Sequence, residues 1–248
     1  MTASRKLSLV AGIFFLLTFI HVLILPLYDE ILSNPDFILG NGDATRVRLG
    51  ALADLITAIA GGATGVLLFQ ILRPQHLGIA LGYVGVRTFE AVMIVAGTLC
   101  LLAVVTMRED LAGAGSDPAT LTATAKSLVS VRDWSFFFGP GICSGLGNGL
   151  LLGYLMYRSG LVPRNMALLG VIGGPLSLVG LMFVLFGQWE QDAPEQFLFT
   201  IGEIAWELSL SVYLIVKGFR PSPIADAYDR EIAGQPDRTT PSGSPTAI

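Results

Sequence analysis

Four ionisable residues interrupt two long apolar stretches of this sequence: Arg87 and Glu90 in one, Glu203 and Glu207 in the other. Arg87 and Glu90 are three residues apart, and Glu203 and Glu207 are four apart. In a helix, each spacing places both side chains on one face. A guanidinium beside carboxylates can form ion pairs, hold a proton or bind a cationic group. Because ionisable side chains facing lipid are costly, we expect these groups to face the interior of a helical bundle.

Counting residues along the predicted helices places these groups at similar depths in a membrane. Arg87 and Glu207 each lie ten residues from the end of an apolar helix. At the rise of an α-helix, both are therefore about 15 Å from the same membrane face. Glu90, Glu203 and His21 come out at about 20 Å on the same scale. We therefore expect one cluster, with Arg87 against Glu207 and Glu90 against Glu203, and with His21 as a further member.

The charges of this cluster leave its role open. Three ionised glutamates against Arg87 would leave two uncompensated negative charges in a buried site, which burial disfavours. Either a glutamate holds its proton, or His21 is charged, or a cation or cationic ligand binds. Alternatively, buried Arg–Glu pairs only fix how the helices pack. For Glu203 and His21 we favour the packing role; for the other members the two roles are equally supported.

Two further polar residues lie in apolar stretches. Asn148 stands among Gly145, Gly147 and Gly149, a pattern typical of helices that approach closely and share a hydrogen bond. Asp54 is expected nearer the membrane surface, as a helix-start or interfacial residue. The candidate ligand-binding residues are Arg87, Glu90, Glu203, Glu207, His21 and Asn148.

Known catalytic motifs are missing from the sequence. It contains no Walker loop and no GxSxG, HExxH or GxGxxG pattern. The only histidines are His21 and His76, so a histidine-built zinc site is not available. Cys100 and Cys143 have neither metal-ligand nor disulfide-framework spacing. We therefore predict no catalytic residue, no metal and no cofactor, and an enzyme is the less favoured class.

Long apolar stretches must position the candidate residues. Of the 248 residues, 52% are hydrophobic and 14% are charged, and the mean hydropathy is +0.66. Soluble domains have about 25% charged residues, and a helix of about 20 apolar residues spans a bilayer. We predict an all-α bundle of six transmembrane helices over residues 1–220, followed by a disordered tail over residues 221–248. The predicted helices cover about residues 7–27, 49–72, 77–106, 134–157, 166–187 and 197–216.

Lysine and arginine residues predict the orientation of this bundle. With six spans, both termini lie on one side of the membrane. That side holds seven basic residues near the membrane: Arg5, Lys6, Arg73, Arg158, Arg164, Lys217 and Arg220. The other side holds five: Arg46, Arg48, Arg108, Lys126 and Arg132. Basic residues concentrate in cytoplasmic segments, so we expect a multi-pass protein of the inner membrane with both termini in the cytoplasm. No basic patch indicates nucleic-acid binding.

The hairpin over residues 153–174, GYLMYRSGLVPRNMALLGVIGG, has a basic turn between two apolar runs. It resembles a bacterial family of integral membrane proteins known as domain of unknown function 4386. Three weaker segments are also similar to that family: Gly42-Asp43-Ala44 with Arg48-Leu49-Gly50 and Asp54-Leu55, then Arg87-Thr88-Phe89-Glu90-Ala91, and Glu207-Leu208-Ser209-Leu210 with Lys217-Gly218. The resemblance covers about residues 7–220, and Glu203 is an addition to the family pattern. It implies the fold, and it implies no activity, ligand or catalytic residue.

Together, these features predict a membrane protein that binds a small ligand or ion, in transport or sensing. Its partners would be the lipid bilayer and a small ligand or cation. The alternative is a structural or partner-binding membrane protein whose buried charges only fix helix packing. The identity of the ligand and the oligomeric state do not follow from the sequence.

Overall fold

The computed structural model of the chain describes residues 1–111, 115 and 117–234. These residues form helices and connecting turns, with no strand among them. Six helices are long and apolar enough to cross a membrane, which confirms the predicted six-helix bundle. The first span combines α1 (Ala3–Thr18), α2 (Ile20–Ile24) and a 3₁₀ turn (Leu25–Leu27).

The remaining elements follow in chain order. A short α3 (Asp29–Ser33) and a 3₁₀ turn (Pro35–Leu39) precede the second span. The second and third spans are α4 (Ala44–Leu72) and α5 (Leu77–Leu111). The fourth span joins α6 (Pro118–Phe136), two π-helical segments (Phe137–Gly141 and Ser144–Leu152) and α7 (Gly153–Ser159). The fifth and sixth spans are α8 (Arg164–Leu185) and α9 (Pro194–Val216), and α10 (Pro223–Ile232) follows.

Two spans begin earlier than hydropathy predicts because polar side chains cap them. The second begins at Ala44 rather than near residue 49, since the Asp43 carboxylate accepts a hydrogen bond from the Thr45 amide at 2.8 Å. The fourth begins at Pro118 rather than near residue 134, after Asp117. The hydrogen bonds from Thr120 to Asp117 lower the pKa of that carboxyl. Such caps satisfy free amide groups at a helix start whether or not the following turns are apolar.

The helix α10 docks on the end of the bundle that also holds the N-terminus, called the termini end below; the opposite end is the loop end. Ser4 donates its amide to Asp229 at 2.6 Å and its hydroxyl at 2.9 Å. The Tyr228 hydroxyl donates to Gln70 Oε1 at 3.0 Å. The prediction of a disordered tail is therefore wrong for α10, because these contacts hold it to the bundle. The rest of the predicted tail, from residue 235, lies outside the described residues.

A layer of polar side chains separates two apolar cores inside the bundle. Along α4, Val47 belongs to the core near the loop end and Leu68 to the core near the termini end. Asp54 and Thr57 lie between them and are buried. The helix α5 has the same order, with Tyr83, then Arg87 and Glu90, then Leu101. The polar layer therefore lies deep in the membrane, away from both ends.

Glycines let the helices approach one another closely near the termini end and in the middle of the bundle. A β-carbon added at Gly174 of α8 would lie 2.8 Å from the Gly149 Cα on the fourth span. A β-carbon added at Gly12 of α1 would lie 2.9 Å from the Ser211 carbonyl oxygen of α9. Small residues at such contacts are typical of membrane helix packing. The fold therefore depends on glycine at these positions.

We predict that Gly174→Ala lowers the free energy of unfolding by about 1–3 kcal/mol, because the added methyl group overpacks a backbone contact. Thermal unfolding of the detergent-purified chain measures this. Gly62→Ala is the matched control, since nothing lies within 4 Å of a β-carbon there. Equal melting temperatures for the two variants would contradict the close contact between α8 and the fourth span.

Candidate functional site

Arg87 is a deeply enclosed cation of the polar layer. Its side chain is 2% exposed, and Nη1 forms an ion pair with Glu90 Oε2 at 2.6 Å, one turn along α5. Its Nε lies 3.1 Å from both the Gly61 carbonyl oxygen and Thr64 Oγ1 on α4. A β-carbon at Gly61 would lie 3.0 Å from Nη2, and one at Gly65 would lie 3.1 Å from the Arg87 Cβ. The glycines of α4 therefore make the room that this guanidinium fills.

Glu207 of α9 is held by neutral donors instead of a cation. The Ser144 hydroxyl donates to Glu207 Oε1 at 2.5 Å, and the Asn148 side-chain amide donates to the same oxygen at 2.7 Å. Both donors lie on the second π-helical segment, and such segments occur often at functional sites. The Trp206 indole donates to the Asn148 carbonyl oxygen at 2.8 Å, which ties α9 to this segment a second time.

These side chains meet at a cavity of about 160 Å³. An engineered cavity of about 150 Å³ in another protein accepts benzene, so this volume suffices for a small organic ligand. Arg87, Glu90 and Glu207 line the cavity together with His21. The other lining residues are Thr18, Phe19, Val22, Thr57, Ile94, Pro140, Ser144 and Ile204. Four of the six predicted site residues thus face one space.

His21 belongs to a second polar group that borders this cavity. Its Nδ1 lies 2.7 Å from Asp54 Oδ1, and its ring stacks on Phe136 with centroids 4.7 Å apart. The hydroxyls of Tyr28 and Thr98 lie 2.7 and 3.0 Å from Asp54 Oδ2. Asp54 is fully buried, so its prediction as a helix-start or interfacial residue is wrong. Its carboxylate joins α4 to α2 through His21, to the turn before α3 through Tyr28, and to α5 through Thr98.

Glu203 and Asn148 do not line the cavity. Glu203 is 1% exposed, and both of its carboxylate oxygens lack a hydrogen-bond partner among the described residues. It packs against Gly149 and Gly173, where side chains would collide with it. Asn148 contacts Glu207 and reaches the cavity only through that carboxylate.

The predicted pairing of charges is wrong in both halves. Within the described chain, Arg87 forms its ion pair with Glu90 and not with Glu207, and Glu90 does not pair with Glu203. Equal depth fixes how far along its helix a side chain lies, but it does not fix the direction in which the side chain points. A partner three residues away on the same helix is already in reach. Arg87 therefore pairs within its own helix, and Glu207 accepts hydrogen bonds from neutral donors instead.

Sequence reasoning misplaced Asp54 at the membrane surface and missed two further residues of the polar layer, Thr57 and Ser144. A signal for Asp54 and Thr57 was available, because these residues, Gly61 and Thr64 follow one another at spacings of three and four. That spacing places small and polar groups on one face of α4. Ser144 has no such signal, since a π-helical segment changes which residues share a face.

Within the described part of the chain, no group of three or more histidine, cysteine, aspartate or glutamate residues could hold a metal ion. The lining groups are instead one guanidinium, two carboxylates, an imidazole and three hydroxyls. Such a set can accept a cationic group or exchange a proton.

The fold and this layer define a polytopic helical membrane protein with a buried polar cavity. The family model described as a domain of unknown function (DUF4386) matches residues 10–218, so the chain belongs to that family. The match confirms the family resemblance predicted from the hairpin. In the other comparisons, no curated protein and no solved structure matches the chain.

We predict that Asp54→Ala destabilises the protein by about 2 kcal/mol or more, because the buried Tyr28 hydroxyl loses its acceptor and His21 loses its partner. Thermal unfolding of the purified chain measures the loss. Asp36→Ala, at an exposed position of the 3₁₀ turn, serves as the control. An Asp54→Ala protein as stable as the control would show that these hydrogen bonds do not hold the spans together.

Proposed function

We propose that this chain binds a cation, or the cationic group of a small molecule, in the buried cavity, and that it acts in transport or sensing. The observation that supports the proposal most directly is that the two carboxylates lining the cavity have different partners. Glu90 has the guanidinium of Arg87 as its partner. Glu207 has no cationic partner among the described residues, although it faces the same space.

The charges around the cavity support a cationic ligand. One guanidinium faces two carboxylates, so the ionised site has an excess of one negative charge. Ser144 and Asn148 both donate to Glu207 Oε1, whereas Oε2 accepts no hydrogen bond from the described residues. The buried Thr57 hydroxyl, which also lines the cavity, lacks a partner, as does the buried Nη2 of Arg87. An ammonium group between these oxygens would satisfy both, and buried polar groups are usually satisfied.

The residues have distinct roles in this proposal. Glu207 is the ligand-binding carboxylate, and Ser144 and Asn148 orient it. Arg87 holds Glu90 and, through Gly61 and Thr64, fixes α5 against α4. Glu90 keeps its second oxygen free for the ligand or a proton, since Arg87 contacts only Oε2.

A structural or partner-binding role is the alternative, and one observation favours it. Arg87 makes all its described hydrogen bonds within the bundle, to Glu90, Gly61 and Thr64, as a packing residue would. Under this alternative, neutralising Glu207 changes stability alone. Under the binding proposal, it removes a ligand response while the protein stays folded.

We predict that propylammonium raises the melting temperature of the detergent-purified chain, because a ligand that binds only the folded state stabilises it. Glu207→Gln keeps a hydrogen-bond acceptor for Ser144 and removes the charge. It should weaken propylammonium binding roughly tenfold or more, the worth of one charge-assisted hydrogen bond.

Glu195→Gln, on an exposed part of the same helix, is the control and should respond like the unchanged chain. The proposal would be contradicted if propylammonium did not raise the melting temperature of the unchanged chain. It would also be contradicted if the rise were equal in both variants. Sodium chloride at matched ionic strength separates specific binding from screening.

We also propose that the protein lies in the bacterial inner membrane with both termini in the cytoplasm. The supporting observation is the distribution of basic residues, seven near the termini end and five near the loop end. Short basic turns near the termini end follow the positive-inside rule.

Single cysteines test this orientation after Cys100 and Cys143 are replaced by alanine. We expect Gln191→Cys, at the loop end, to react with a membrane-impermeant maleimide in intact spheroplasts. Asn165→Cys, at the termini end, should react only in inverted vesicles. Both positions are exposed, so access alone decides the result. The reverse pattern would invert the assigned topology.

A further inference from the structure

We infer that the cavity opens sideways to the bilayer between α2 and α9, so that its ligand is an amphiphile with a cationic head and an apolar chain. This inference rests on the proposed cation site and names the class of ligand. The head would lie at Glu207, and the chain would extend between the two helices toward lipid.

The first span changes partners at the height of the cavity. Near the termini end, α1 packs against both α4 and α9, and Gly12 lies against the α9 backbone. The span breaks at Phe19, whose amide reaches Leu16 in a tighter turn, and the Thr18 hydroxyl donates to the Phe15 carbonyl oxygen at 2.7 Å. Beyond the break, α2 packs mainly on α4. The first span and α9 are therefore in contact between the termini end and the cavity, and they separate at the height of the cavity.

The pair of His21 and Asp54 keeps this separation. The 2.7 Å contact between His21 Nδ1 and Asp54 Oδ1 joins α2 to α4. Asp54 cannot move toward α9, because Tyr28 and Thr98 also hold it. His21 is thus a positioning residue for the opening, in addition to lining the cavity.

The rim of the opening is apolar, although the inner wall is charged. Val22 is 58% exposed and Ile204 is 38% exposed, and both line the cavity together with Phe19. Glu207 lies about 15 Å from the end of α9, well inside the hydrocarbon layer. Exposure at that depth is exposure to acyl chains, so an apolar chain passes this rim more readily than a hydrated ion does.

A second cavity, of about 290 Å³ near the loop end, offers the competing route. It shares Pro140 and Ser144 with the first cavity and is lined by polar groups that include Arg132, Gln196 and Thr200. A water-borne ligand would pass there. The Ser144 hydroxyl is already bonded to Glu207 at 2.5 Å, however, and it forms part of the wall that both cavities share.

Carbodiimides of different polarity distinguish the two routes in proteoliposomes. Dicyclohexylcarbodiimide dissolves in the bilayer and converts a carboxylic acid to a stable N-acylurea, whereas a water-soluble carbodiimide approaches from the aqueous side. We expect the lipid-soluble reagent to modify Glu207, identified by mass spectrometry of the full chain. Glu203, which is 1% exposed, should stay unmodified and serve as the internal control.

Two tryptophan variants locate the opening. Ile204→Trp should slow the modification of Glu207 severalfold because it narrows the rim. Ile201→Trp, on an exposed part of the same helix that does not line the cavity, should leave the rate unchanged. Octylammonium should protect Glu207 at lower concentration than propylammonium, by roughly fourfold for each added methylene. Octanol should not protect it.

Faster labelling of Glu207 by the water-soluble reagent, slowed by Thr200→Trp and not by Ile204→Trp, would overturn the lateral opening. If propylammonium still stabilised the chain, the proposed cation site would stand without the lateral opening. Loss of the propylammonium response as well would remove the cation site itself.

Discussion

Arg87 can lie in the middle of a membrane because Glu90 meets its charge and α4 meets its Nε, although the buried Nη2 has no partner among the described residues. Glu90 takes the charge, and the backbone and hydroxyl of α4 accept from Nε. A guanidinium without these partners would be far too costly in hydrocarbon. The positions of the other polar side chains in the layer depend on Arg87, since they must pack around a guanidinium that cannot reach water.

Glycines and the π-helical segment allow the helices to pack closely around the polar side chains of this layer. The glycines of α4 leave a groove for the guanidinium, and those of the fourth span and α8 bring backbones together beside it. The wider turns from Ser144 to Leu152 direct Ser144 and Asn148 to the same oxygen of Glu207. A side chain larger than glycine at these contacts would separate the helices and move Ser144 and Asn148 away from Glu207.

Two polar groups therefore share one layer but differ in how fully their carboxylates are hydrogen-bonded. Asp54 is saturated by His21, Tyr28 and Thr98, as expected for a group that joins helices. Glu207 is half satisfied and faces open space. Asp54 is fully buried and satisfied outside the cavity lining, whereas Glu207 is half-buried, lines the cavity and has one oxygen without a described donor. This difference is the physical basis for proposing packing for one and binding for the other.

The sequence alone determined the class of fold, the number of spans and the family, because the length and hydropathy of a span are local properties of the chain. It also placed Arg87, Glu90 and Glu203 in the interior of the bundle, since facing lipid would be costly. Tertiary structure alone decided which groups meet: Arg87 with Glu90, Glu207 with Ser144 and Asn148, and His21 with Asp54. The depth of a side chain in the membrane follows from counting residues along its helix. The direction in which it points depends on helix rotation, breaks and wider turns, and these are fixed only when all six spans pack together.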